Sequence, residues 1–194
     1  MLHKTICIFV ILSFLAYSCK QKEKQESIQT TEKTPLEIGK DIALQTKGVL
    51  GKNLLYTIST EGTENAVAFC SSKAIPLTDS VALSLHAKIK RVSDNNRNPD
   101  NKANEAELAY IHATKEAISK GETVKPKLTT AGNKQIAYYP IMTNDMCLQC
   151  HGQPDKDIAP NTLSKIRELY PDDKAVGYTS DELRGIWVVE MDKK

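Results

Sequence analysis

Apolar positions recur along this chain first at helical and then at strand spacing. Between residues 36 and 58, Ile38, Ile42, Val49, Leu50, Leu54 and Leu55 fall mostly one or two turns apart, which predicts a helix interrupted at Gly48 and Gly51. A second helix is expected from Glu64 to Ala74 after a turn at Gly62, and a short third one from Pro76 to Leu85. Ala87, Ile89 and Arg91 then alternate with Lys88, Lys90 and Val92, as in a strand at a sheet edge. Residues 94–104 are a polar turn region around Pro99. Asn104 is placed to cap a helix that runs to Lys120 and stops at Gly121. Residues 123–130 and 134–142 pattern as a hairpin about Gly132-Asn133. A short helix follows Pro160, from Asn161 to Tyr170, and a last strand from Ile186 to Met191 holds the single Trp. Helices grouped first and strands later predict an α+β fold with a small antiparallel sheet.

The N-terminus has a different pattern. One basic residue, Lys4, precedes ten apolar residues from Ile6 to Leu15, and Ala16-Tyr17-Ser18 leads into Cys19. The run is too short to span a bilayer and reads as a secretory signal. A cysteine at the cleavage point resembles a bacterial lipoprotein signal, although the usual leucine sits one place early, at Leu15. The alternative is an ordinary cleaved signal with a spare cysteine. The expectation is therefore a signal over 1–18, a lipidated Cys19 opening a tether over 19–35, and one domain over 36–194. Acyl chains at about 0.8 kcal/mol per buried methylene would hold the protein at a membrane of the bacterial periplasm or cell envelope. The tether is polar, with Ile28 its one aliphatic residue before Pro35, and its charges alternate in sign. The whole chain carries a formal charge of +2, which gives no reason to expect nucleic acid as a partner.

The strongest chemical signal is Cys147-Leu148-Gln149-Cys150-His151. This spacing matches covalent c-type haem attachment. Two residues between the thiols let one turn of chain present both sulfurs to one porphyrin edge, and the histidine that follows can give an axial nitrogen to iron. Half of a zinc site would need a second Cys/His pair at metal spacing, and none exists elsewhere in the sequence. A thioredoxin-like pair fits poorly with the trailing histidine and the missing βαβ pattern. The expected cofactor is one covalently attached haem c.

Several further segments occur in a fixed order: Ala66-Val67-Ala68-Phe69-Cys70, Arg91-Val92-Ser93, Arg97-Asn98-Pro99, Tyr139-Pro140, the haem motif with Gly152, Tyr170 to Tyr178, and Leu183-Arg184-Gly185. Together they resemble the PAS-like monohaem c-type domains long catalogued as a domain of unknown function. The resemblance covers about residues 36–192. It implies a PAS-like sheet, flanked by N-terminal helices, around one covalently bound haem. Members occur as exported single-domain cytochromes and as sensing portions of signalling proteins. This chain departs from the pattern after Arg97-Asn98-Pro99, where members often have a further proline and it has Asn101-Lys102-Ala103.

Of five cysteines, Cys7 leaves with the signal, Cys19 is assigned to lipid, and Cys147 and Cys150 to haem, so Cys70 alone has no role. Ala66 and Ala74 lie one turn to either side of it, which would let a flat macrocycle approach closely. A free cysteine is often just a small core residue. Cys70 also matches the family's helix cysteine, and it is the candidate second iron ligand opposite His151. Met142 is a reserve candidate, though its place in the strand favours a core role. Met146, beside the motif, is poorly placed to reach the opposite haem face. His86 shares a strand face with Lys88 and Lys90 and should face water, as should His112. Arg91, Arg97 and Arg184 are candidates for haem propionates, with surface charge as the alternative. Tyr138 and Tyr139 should point to opposite sheet faces, toward haem or core.

Three functional classes follow. The first is a membrane-tethered electron carrier with an unidentified redox partner. The second is a haem-based redox or small-ligand sensor acting through a separate signalling protein, since the chain has no output region of its own. The third, a peroxidase-like enzyme, needs a distal His/Arg pair that the sequence does not offer. They rank in that order, with no enzymatic activity expected.

Overall fold

A computed structural model describes residues 32–193. The signal, Cys19 and most of the tether lie outside these residues. A compact unit opens at Lys33. Thr34 caps helix α1 (Pro35–Glu61) through a capping box with Glu37, and Pro35 takes the first helical position, where its missing N–H costs nothing.

Helix α1 is continuous through Gly48 and Gly51, where the sequence pattern predicts breaks. Each glycine costs about 1 kcal/mol against alanine. One face of α1 buries Ile42, Ala43, Thr46 and Leu50, and this packing outweighs the local penalty. Gly39 serves a closer approach. A Cβ there would fall 2.5 Å from the Tyr139 hydroxyl, so its absence lets α1 lie directly on the sheet.

Helices α2 (Thr63–Ser72) and α3 (Ala74–Ser84) follow with only Lys73 between them. Ala74 thus opens α3 and does not extend the Cys70 helix. Pro76 sits in the first turn of α3, where its lack of an N–H breaks no intrahelical bond. Strand β1 (Lys88–Val92) begins later than its alternation suggests. His86 is exposed in the preceding turn at φ 51°, on no strand face. A single 3-10 turn, Pro99–Asn101, punctuates the polar stretch before α4 (Glu105–Ser119), which Asn104 caps as expected. His112 on α4 is exposed.

Strands β2 (Lys127–Ala131) and β3 (Lys134–Met142) form the hairpin about Gly132-Asn133. Then come α5 (Asp145–His151), α6 (Pro160–Leu169) and β4 (Leu183–Asp192). The sheet is antiparallel in the order β1-β4-β3-β2. Strand β1 is an edge, and the last strand in sequence is central.

Alternation through β3 and β4 feeds two cores. Tyr139, Trp187, Val189 and Met191 join Ile42, Leu50 and Ala82 under α1 and α3. Tyr138, Ile186 and Val188 join Tyr110 and Ile111 under α4 on the other face. The two tyrosines do point oppositely, and both pack in core: Tyr138 stacks on Tyr110 at 5.4 Å, and the Tyr139 hydroxyl donates to Leu36 O at 2.7 Å. A third cluster, Val67, Ile158, Ile166 and Tyr170, joins α2 to α6, with Cys150 packed against it.

Candidate functional site

One cleft gathers nearly all the chemistry singled out in the sequence. Its cavity volume is about 260 Å³, near the lower end of ordinary ligand sites (~300–1,000 Å³). Cys147, Cys150 and His151 line it from α5, Cys70 and Val67 from α2, Arg91 from β1, and Arg184 from β4. Leu54 and Ile58 of α1 add apolar wall. Ala66 and Ala74 line it beside Cys70, so the expected small flanks are present although they come from two helices.

Asn144 caps α5 by accepting from Cys147 N at 3.3 Å, and a spacing of three residues puts Cys147 and Cys150 on one side. Burial pushes the Cys150 thiol up to about 11, against the opposing pull of Arg97. Burial also raises the Cys70 thiol, with Arg91 and Arg97 opposing. The C-terminal end of α5 is clamped by a separate loop. Tyr178 N donates to His151 O, and Gly177 N to Gly152 O, each at 2.9 Å.

The same loop orients the histidine. His151 Nδ1 lies 2.7 Å from the carbonyl oxygen of Ala175. A carbonyl only accepts, so Nδ1 carries the proton and Nε2 keeps its lone pair for a metal. Arg184 Nε, 3.4 Å from Nδ1, therefore adds positive charge and not a hydrogen bond. Burial first, then Arg184 and Arg97, hold His151 well below its usual range and so neutral.

All three candidate arginines face the cleft, and none is a plain surface charge. Arg97 donates to Cys150 O at 2.6 Å and to Asp173 Oδ2 at 3.0 Å, tying α5 to the loop before Ala175. Its Nε is buried and has no hydrogen-bond partner. Arg91 lies over Trp187, its cross-strand neighbour, at 5.6 Å. Arg184 lies over Tyr178 at 5.4 Å and donates to Asn95 O at 3.1 Å. Burial lowers both Arg91 and Arg184 from the usual guanidinium range. An anion bearing carboxylate arms fits this wall, and the orphaned Nε supplies a donor waiting for an acceptor. The residues present therefore fit a haem.

Met142 and Met146 both line the cleft and are 37% and 38% exposed. A core role for Met142 is not what the fold gives it; the register shifts after Ile141 and turns it out at the cleft. Among the described residues, no three His, Cys, Asp or Glu side chains come together as a metal cage. Sequence reasoning missed the Ala175 carbonyl and Asp173. A backbone carbonyl carries no side-chain signature, and an aspartate among neighbouring charges looks like solvated surface.

The Tll0287-like family model matches residues 18–191. The chain belongs to the Tll0287-like family. This bears out the resemblance read from the ordered segments. Among solved structures, the crystal structure of the cyanobacterial haem protein Tll0287 matches with a TM-score of 0.57 at 19% identity. The match covers 84% of this chain and 98% of that one, and it shows a shared fold. No curated protein matches the chain.

Proposed function

We propose that this member of the Tll0287-like family is a membrane-tethered monohaem c-type cytochrome that carries electrons. One observation carries the proposal: Cys147, Cys150 and His151 on α5 and Cys70 on α2 line one arginine-walled cleft. Similarity to a cyanobacterial haem protein supports haem as the ligand. In this reading Cys147 and Cys150 would hold the haem as thioethers, and His151 Nε2 and the Cys70 sulfur would ligate its iron. Arg91, Arg97 and Arg184 meet the propionates. A bound haem supplies a one-electron couple. The chain's own residues fix the histidine tautomer, exclude water from the apolar wall and balance propionate charge. Acylation of Cys19 tethers the exported protein at a membrane of the cell envelope.

Optical spectra of the purified holoprotein in both oxidation states, with and without carbon monoxide, test this reading. Haem should survive acid–acetone extraction, and the ferric form should be low-spin. Loss of all haem on extraction would refute covalent attachment. Mass spectrometry of the mature N-terminus should find acylated Cys19, and a free terminus at any other residue would refute the anchor.

A sensor role is the second reading. It is favoured by the position of Cys70 on α2, which packs on α1, α3 and α6 and so links the cleft to the outer helices. Ready carbon monoxide binding by the ferrous protein would favour it over the carrier.

A further inference from the structure

Helix α1 presents an apolar face that no other element covers among the described residues. Leu44, Leu55 and Tyr56 are 52%, 49% and 66% exposed. Leu44 and Leu55 lie about three turns apart on one side of the helix, with Gly48 and Gly51 between them. A Cβ added at either glycine would meet nothing within 4 Å, so the strip is open along its length. The core-facing residues Ile42, Thr46 and Leu50 occupy the other side. Single exposed leucines are ordinary, but Leu44 and Leu55 share one line of the helix, and Tyr56 flanks that line from beyond Lys52, about a third of a turn round.

Between Leu44 and Tyr56 the charge has one sign. Residues 42–60 contain no Asp or Glu, and the exposed Lys47 and Lys52 flank the strip on either side. The acids of the first turns are engaged. Glu37 accepts from Thr34, and Asp41 accepts from Lys33 Nζ at 2.6 Å. The position in the chain matters as well. Helix α1 is the first described element, and residues 20–34 between Cys19 and it can span at most roughly 50 Å.

We propose that the outer face of α1 docks on an anionic lipid surface. Leu44, Leu55 and Tyr56 enter the headgroup boundary, and Lys47 and Lys52 pair with lipid phosphates. The proposal deepens the reading of Cys19 as an anchor, which supplies the bilayer. A second copy of the chain is the rival occupant. An antiparallel self-pair would set Leu44 of one copy on Leu55 of the other, but it would also bring Lys47 to Lys52, and like charges oppose it. Leu54 and Ile58, which line the cleft, sit next to this strip. Docking therefore sets the cleft's α1 wall beside the headgroups.

The test uses holoprotein exported with an ordinary cleaved signal and starting at Lys20, which removes the anchor and leaves the unit from Lys33 intact. In flotation assays it should bind vesicles of equal parts phosphatidylcholine and phosphatidylglycerol, less so with added salt, and bind phosphatidylcholine alone weakly. With each lysine near an anionic surface worth about 1 kcal/mol, about fivefold, Lys47→Gln/Lys52→Gln should lower the partition roughly 25-fold. Leu44→Ser/Leu55→Ser should abolish flotation while leaving the haem spectrum unchanged. No flotation, or equal flotation of parent and variants, would overturn the proposal. A dimer in sedimentation that the leucine variant dissolves would assign the face to a second copy and overturn it too. The anchor is judged separately, by the mass of the native N-terminus.

Discussion

His151 Nδ1 and the carbonyl oxygen of Ala175 stand 2.7 Å apart, joined across 24 residues of sequence. That contact sets which ring nitrogen is free, and so orients a histidine next to two cysteines with the Nε2 lone pair available. It is made by backbone, so no substitution deletes the acceptor. The loop holding it can be disturbed instead, because Ala175 is fully buried. Ala175→Leu should cost about 1–3 kcal/mol by overpacking. It should also alter the ferric haem spectrum, and urea unfolding beside optical spectra would show whether the two changes go together.

Replacing Cys70 by serine keeps the size of the side chain and removes the sulfur. A thiolate favours ferric iron more than a thioether does. Cys70→Ser should therefore change the ferric spin state and raise the midpoint potential, with haem still attached through Cys147 and Cys150. Potentiometry and electron paramagnetic resonance check both. A variant with the parent's spectrum and midpoint would move attention to Met142.

Arg97 and Asp173 form an ion pair at 3.0 Å whose side chains are only 10% and 9% exposed. Removing one partner leaves the other buried and unpaired. Arg97→Ala should cost about 3–5 kcal/mol. Adding Asp173→Asn should recover part of that loss, because the stranded charge is gone. Chemical denaturation of the two single variants and the double variant closes the cycle.

Glycines on α1 should respond in opposite directions. Gly39→Ala drives a methyl to 2.5 Å from the Tyr139 hydroxyl and 3.2 Å from Met191 Cε, and should cost about 1–3 kcal/mol. Gly48→Ala enters open space in a helical conformation and should gain up to about 1 kcal/mol. Thermal unfolding of the pair measures the contrast.

Burial, with Asp41 and Tyr110 adding to it, pushes the Tyr139 phenol up to about 12 from the ordinary 10. The unfolded chain thus loses this proton first, while the folded chain still holds it. The stabilisation is complete below pH 10 and is lost as pH rises toward 12, at up to about 1.4 kcal/mol per pH unit. Tyr139→Phe should flatten that alkaline slope. It should also cost about 1 kcal/mol at neutral pH for the bond to Leu36 O. Denaturation curves across this pH window would show both effects.

What the sequence determined by itself was local. The spacing of Cys147, Cys150 and His151, the caps at Asn104 and the turn at Gly132-Asn133 depend on residues within a turn or two of each other, and each stands where its pattern placed it. The α+β class and the antiparallel sheet followed from periodicity, which reports which face is buried without saying against what. Tertiary structure decided the rest. It carried α1 through Gly48 and Gly51, because burial of one face outweighs two glycine penalties. It turned Met142 out of the core through a register shift. It also brought Arg184 to one wall with Arg91 and Arg97, which lie far earlier in the chain, though each alone is indistinguishable from a surface charge. The proton on His151 was fixed by a carbonyl that every residue possesses, and only the fold selects which one lies 2.7 Å away.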